Sequence, residues 1–286
     1  METKKKFTYV KDTFEEYLSK DAISASDIKT FLKSPRKYWY EKISPFPKPE
    51  KEQQRHFAIG SAVHEMVMEP HLFEKNYIIS PKIDRRTSAG KEMYLAFQEQ
   101  ASGKTIIFQN EMEMITEMAT NCRLNKTFLE YLEDCHFEIS CYTDDIPTGL
   151  SLRMRPDILP NNKDVIVDIK TCRESSLKAF KSDVYSYGYS LSAAFYIDHI
   201  GRDSYIFAAI EKAAPYQTSL FALPDEMMDY GRYQYRMGLD LIKWSKDNNY
   251  WCDYVEFEIL KECYLLGETN DFFDTIKKSS LIQILN

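Results

Sequence analysis

An α+β fold is predicted, with a mainly helical first half that leads into mixed strands and helices. Three observations predict it. Capped helical segments with apolar stripes dominate the chain before about residue 135. Runs rich in β-branched and aromatic residues then follow at 136–143, 149–155 and 164–170, separated by turn chemistry. Last come a helix over about 185–200, strands at 204–211 and 217–223, and a long amphipathic helix from Pro224 to Lys246.

Each element has a local reason. Ser24 or Ser26 caps a helix whose stripe is Ile28, Phe31 and Leu32, and Pro35 interrupts it ahead of Tyr38, Trp39 and Tyr40. Three prolines and many charges make 45–55 an exposed loop. A helix begins near Phe57 and ends before Pro70, and residues 80–91 form a loop with four bases and one acid. Glu, Met, Ala and Leu favour helices near 90–101 and 110–133. The turn at residues 144–149 (DDIPTG) joins the first two strands, and Pro160, Asn161 and Asn162 make the next turn. No linker forces a division, so one domain is expected: a helical part over 23–135, an α+β core over 136–246 and a C-terminal extension over 247–286.

Composition narrows the function classes. With 286 residues and 44% hydrophobic content the chain can bury a substantial core, and its 17 Phe and 20 Tyr exclude general disorder. The net charge of −7 excludes a uniformly basic nucleic-acid coat. The deficit is uneven, because residues 225–286 carry 12 acids and 7 bases, which leaves room for local basic patches upstream. The cysteines, Cys122, Cys135, Cys141, Cys172, Cys252 and Cys263, contain no C-x-x-C pair, so a zinc ribbon is not expected. With no export signal and no membrane-length apolar run, a cytosolic protein with reduced thiols is expected. Gly103-Lys104-Thr105 lacks the earlier glycine of a P-loop, position 98 being Gln, so no nucleotide is expected. His64-Glu65 lacks the second histidine of a zinc-protease helix, position 68 being Met.

The informative stretch is 149–172, GLSLRMRPDILPNNKDVIVDIKTC. In a strand, Asp168 and Lys170 share a face while Val167 and Ile169 take the other. Asp157 follows Arg155-Pro156, and a hairpin can bring it to Asp168 at one end of a sheet. Two converging carboxylates repel unless a cation lies between them, and a hard divalent ion suits oxygen ligands. Lys170 beside them can orient or help deprotonate an attacking water, an assembly suited to phosphodiester hydrolysis.

The run from Arg155 to Thr171 resembles the PD-(D/E)xK nuclease superfamily and, more closely, the RecE-type exonucleases (exodeoxyribonuclease VIII) of phages and prophages. Further segments agree: Ile23 to Pro35, Gly60 to Pro70 with His64, Asp84 to Lys91 (DRRTSAGK), Gly188 to Tyr196, and Glu211-Lys212 with Pro215-Tyr216. The resemblance spans roughly residues 23–240. It implies a restriction-endonuclease-like core, a central mixed β-sheet flanked by helices. It also implies His64, Asp157, Asp168 and the Ile169 carbonyl as metal ligands, Lys170 as the catalytic lysine, and Glu138 as an additional acid. Tyr196 matches the tyrosine of the family's Gln-x-x-x-Tyr helix, whereas Ser192 stands where the family has Gln, which puts substrate positioning in question. Ser34 stands where iron–sulfur relatives have Cys, and Cys252 and Cys263 lack the needed spacing, so no cluster is expected.

The resemblance further implies a Mg2+-dependent exonuclease, with Mn2+ able to substitute. It would act on double-stranded DNA ends as a toroidal tetramer in the cytoplasm of a bacterial host, digesting 5′ to 3′ beside a single-strand annealing protein. Lys82, Arg85, Arg86 and Lys91 are candidate phosphate contacts. Arg153 and Arg155 either pair with carboxylates or contact DNA, and Ser192 and Tyr196 are candidate DNA-facing residues. Two other readings stay open, a related endonuclease or repair nuclease with the same site, and a non-catalytic DNA-end binder.

Overall fold

The computed structural model describes residues 8–48, 55–84 and 86–278. The first half comprises β1 (Thr8–Val10), α1 (Phe14–Ser19), α2 (Ala25–Lys33), α3 (Pro35–Lys42), α4 (Arg55–Met68), α5 (Phe73–Asn76), β2 (Tyr77–Ser80), α6 (Ser88–Gln100), β3 (Thr105–Phe108), α7 (Gln109–Leu124) and α8 (Lys126–Leu129). The second comprises β4 (Cys135–Phe137), β5 (Ser140–Asp145), β6 (Leu150–Met154), β7 (Ile158–Pro160), β8 (Val165–Cys172), α9 (Leu177–Tyr187), α10 (Tyr189–Ile200), β9 (Ser204–Glu211), β10 (Thr218–Ala222), α11 (Asp225–Asn248), α12 (Tyr254–Leu266) and α13 (Phe272–Lys278).

The central sheet has the order β10-β9-β8-β7-β4 and is mixed: β8 and β9 run parallel, and the other neighbours are antiparallel. The parallel pair needs a long crossover, which α9 and α10 supply. Alternation along β8 sorts its side chains between two hydrophobic layers. Val165, Val167 and Ile169 join Val63 and Val67 of α4 and Ile115 and Met118 of α7. Ile166 and Cys172 join Ile28 and Phe31 of α2, Phe195 of α10 and Leu239 of α11. Asp168 and Lys170 share the parity of this second set, as the sequence pattern requires.

Several elements differ from the sequence expectation. The segment 136–143 is two strands, β4 and β5, separated at Glu138 (φ 44°). Its partner breaks at the same level, between β6 and β7, so the hairpin runs out of the sheet β1-β5-β6 and into the central sheet. The Glu138 N–H donates to the Asp157 carbonyl (3.0 Å) and ties the two breaks together. The 185–200 helix is preceded by another, and Gly188 in the left-handed region (φ 61°) turns α9 into α10. The 110–133 helix stops at Leu124, because Asn125 accepts the Phe128 N–H and starts a new turn. The C-terminal residues are no appendage: Phe257 and Leu260 of α12 and Phe272 of α13 sit in the same cluster as α2 and α11. Among the described residues, no helix is long and apolar enough to cross a membrane.

Gly231 of α11 packs so tightly on α10 that a Cβ there would lie 2.2 Å from the Ser190 carbonyl oxygen. Gly231→Ala is therefore expected to lose roughly 1–3 kcal/mol of stability through overpacking. Urea unfolding checks this, and an unchanged midpoint would contradict such close helix contact.

Candidate metal-dependent active site

The site forms where β7 stops pairing with β8. The last paired residues are Ile158 and Val167. The residue just before β7 is Asp157, and before it Pro156 has no N–H to offer a ladder. The Asp157 side chain takes over, with Oδ2 accepting the Ile169 N–H at 2.7 Å. This leaves one edge of β8 open at residues 168–170. His64 of α4 reaches that edge, with Nδ1 3.6 Å from Asp157 Oδ2. Asp168 lies beside Lys170, whose ammonium forms an ion pair with its Oδ2. One helix residue and the residues of a strand and of the turn before its neighbour thus meet at a single strand edge.

Electrostatics reflect the crowding. Burial raises the Asp157 carboxyl well above its ordinary range, and the neighbouring Asp168 pushes it further up. Burial lowers His64 to about 4, and Lys170 acts the same way, so the imidazole is neutral near pH 7 and keeps a lone pair for a metal. Burial opposes the charge on Lys170, but Asp168 and Asp157 outweigh it and hold the ammonium protonated. Tyr205 of β9, buried and facing Asp168, is raised well above its usual range by burial and then by Asp168. Sequence reading missed this tyrosine, although it sits in the alternating pattern of β9.

His64, Asp157, Asp168 and the Ile169 backbone therefore gather in one place, but as two pairs. Each carboxylate turns to its own neighbour, Asp157 to His64 and the Ile169 N–H, and Asp168 to Lys170. Among the described residues, no three His, Cys, Asp or Glu side chains stand close enough to form one ligand group. The donor set nonetheless fits a hard divalent cation. Buried Asp168 Oδ2 touches the Lys170 ammonium yet accepts no hydrogen bond of good geometry. Two carboxylates, a backbone carbonyl and a neutral imidazole are suitable ligands.

The other expected residues divide sharply. Arg153 is withdrawn as a DNA contact. It is only 4% exposed, and its guanidinium donates to the Tyr17, Leu18 and Lys20 carbonyls and to Asp27. Arg155 donates to the Asp12 carbonyl, the Ser140 hydroxyl and Glu138 Oε2, so it and Glu138 brace the hairpin break. The Tyr196 hydroxyl accepts the Arg155 N–H at 3.2 Å, which makes it a support for the Pro156-Asp157 turn. Ser192 lies one helical turn before it on α10 and is half-buried. Lys82, Arg86 and Lys91 are exposed, but Arg86 is paired with Asp84 through two hydrogen bonds. Arg85 lies outside the described residues.

A cleft of about 1000 Å³ opens beside Lys170. Ser26, Lys29, Thr30 and Lys33 of α2 line it on one side, and His56, Phe57, Gly60, Ser61 and His64 of α4 line it too. Ile169 to Arg173, Tyr187, Tyr189, Lys212 and Ala213 line it as well, and among the described residues Asp183 is its sole carboxylate. Lys212 falls in the Glu211-Lys212 segment of the resemblance, whereas Lys29, Lys33 and Arg173 were not singled out from sequence. The spacing of Lys29 and Lys33 on a helix face was the available signal.

The raised Asp157 carboxyl has a thermodynamic consequence. Its folded-state pKa exceeds the unfolded value, so metal-free stability falls as pH rises above the ordinary carboxylate range of about 4. Asp157→Asn is expected to raise the metal-free melting temperature at neutral pH and to flatten the pH dependence. Thermal melts with chelator across pH check this, and a variant that melts below wild type at neutral pH would contradict the repulsion.

Comparison with known proteins bears on the family and the fold. No curated protein sequence matches the chain. A candidate exonuclease from Eubacterium rectale shares the fold at a TM-score of 0.59, with 16% identity over 84% of this chain and 88% of that one. A phage-related exonuclease from Haemophilus somnus 129PT aligns at 10% identity over 82% of this chain and 99% of that one, with a TM-score of 0.32. Residues 24–262 match the model of the PDDEXK-like domain of unknown function (DUF3799), and the chain belongs to that family, with a PD-(D/E)xK nuclease fold.

Proposed function

We propose that the protein is a metal-dependent exodeoxyribonuclease that digests duplex DNA from its ends in the 5′-to-3′ direction and leaves 3′ single strands for recombination. The observation that carries the reading is the open edge of β8, where Asp157, Asp168, Lys170 and His64 meet. His64, Asp157, Asp168 and the Ile169 carbonyl would hold Mg2+, or Mn2+ in its place. The ion would supply charge to stabilise the attacking and leaving oxygens and would acidify a water at neutral pH.

The chain's own residues do the rest. Lys170, held charged by its two acidic neighbours, presents an ammonium to an incoming phosphate and orients the water. Tyr205 orients Asp168 from below. Tyr196, Arg155 and Glu138 hold the turn that aims Asp157. Lys82, Arg85, Arg86 and Lys91 are kept as peripheral phosphate contacts, Arg86 only if it leaves Asp84. Assembly as a ring-shaped tetramer, a cytoplasmic setting and a single-strand annealing partner belong to the same reading and rest on the RecE-type resemblance.

Linear duplex labelled at either the 5′ or the 3′ end tests the proposal. Mg2+ is expected to release the 5′ label first, while EDTA protects the DNA and a covalently closed circle survives. Asp168→Ala is expected to abolish digestion, and Lys170→Ala to slow it by about 10²–10⁴-fold. Wild-type turnover by Asp168→Ala, or metal-independent loss of the label, would overturn the assignment.

A further inference from the structure

The cleft beside Lys170 gathers four further basic side chains on one wall of the molecule. Several basic side chains elsewhere sit on carboxylates: Lys163 on Glu130, Arg202 on Asp164, Arg232 on Asp198, Arg236 on Asp145 and Lys243 on Asp247. Among the described residues, Lys29, Lys33, Arg173 and Lys212 make no ion pair with a carboxylate. The half-buried Lys29 ammonium has a carbonyl oxygen, that of Tyr187 at 3.3 Å, as its hydrogen-bond partner. Lys29 and Lys212 are half-buried, and Lys33 and Arg173 are exposed; like charges gathered along one cleft without counter-anions give a positive field that suits an anionic occupant.

The backbone makes room for Lys29 to reach the cleft. Its aliphatic stem crosses Gly188, where a Cβ would stand 3.0 Å from Lys29 Cδ. Lys33 lies one helical turn further along α2 and lines the same cleft. Four residues advance a helix by about 6 Å, comparable to the step between neighbouring phosphates on one strand. Burial and then Lys170 lower Lys29 to about 8, which places it in the positive field of the catalytic lysine.

We propose that Lys29 and Lys33 form a phosphate-binding stripe on α2 that grips consecutive phosphates of the strand being digested, next to the one positioned at Lys170. The proposal rests on the nuclease reading above and names the residues that track the substrate strand. Both act on binding and register; neither is assigned a role in bond cleavage.

The test is the salt dependence of binding to a linear duplex in EDTA, measured for wild type, Lys29→Met, Lys33→Met and Lys29→Arg. Methionine keeps a long apolar stem against Gly188 and removes the charge. Each Met variant is expected to bind more weakly on every sequence and to reduce the slope of log K against log salt by roughly 0.7–0.9. Lys29→Arg should retain the wild-type slope. Wild-type slopes in both Met variants, with unchanged melting temperatures, would overturn the stripe. If a Met variant melts low, the Arg variant decides: loss of slope despite normal folding also counts against the proposal. Wild type that digests DNA while the Met slopes stay normal defeats only this proposal. Wild type that neither digests nor binds defeats the nuclease reading itself.

Discussion

One hydrogen bond organises the candidate site, the Ile169 N–H donated to the carboxylate of Asp157. An antiparallel neighbour would normally offer a backbone carbonyl along this edge. Here Pro156 ends the pairing, and a side chain replaces main chain. Two results follow from that replacement. Asp157 is fixed against the strand that carries Asp168, and the strand edge from 168 to 170 stays uncovered. Most of the surrounding architecture maintains this arrangement: Tyr196 and Arg155 hold the turn, Glu138 links the two hairpin breaks, and the parallel pairing with β9 holds the other side of β8.

The arrangement is electrostatically unfavourable when considered alone. Two carboxylates share a buried edge, and the Lys170 ammonium only partly offsets them. Stability and function therefore pull in opposite directions at Asp157, as is usual where ionisable groups are held together for chemistry. The same tension appears with opposite sign in the neighbouring cleft, where cations gather and, among the described residues, Asp183 is the sole carboxylate. A cluster of acids thus lies beside a basic cleft. The net charge of −7 reveals neither, because a sum over the whole chain carries no information about where charges sit.

Much of the strand that carries Asp168 and Lys170 was legible in sequence. Alternation in VIVDIK placed Asp168 and Lys170 on one face, and Arg-Pro-Asp marked the end of a strand, since proline cannot continue a ladder. The assignment of His64 came from resemblance rather than from its surroundings, which read as an ordinary apolar helix. Arg153 and Arg155 shared strand parity and looked equivalent. Burial separates Arg153 from solvent because α1 and α2 fold over it, a contact between segments more than 120 residues apart. Lys29 was overlooked for a related reason. A lysine on an amphipathic helix normally faces solvent, and only the approach of α2 to β8 and Gly188 turns it into a cleft wall.

Sequence alone determined the strand and helix periods, the α+β class and the identity of the Asp-x-Lys strand, because these depend on side-chain alternation and on proline and glycine within a few residues. Tertiary structure decided which carboxylate pairs with which base, where the two matched hairpin breaks fall, and which cations stay unpaired. Those outcomes depend on distances between α2, α4, α10 and the open edge of β8. Such distances are set by packing among segments remote in the chain, which no local pattern encodes.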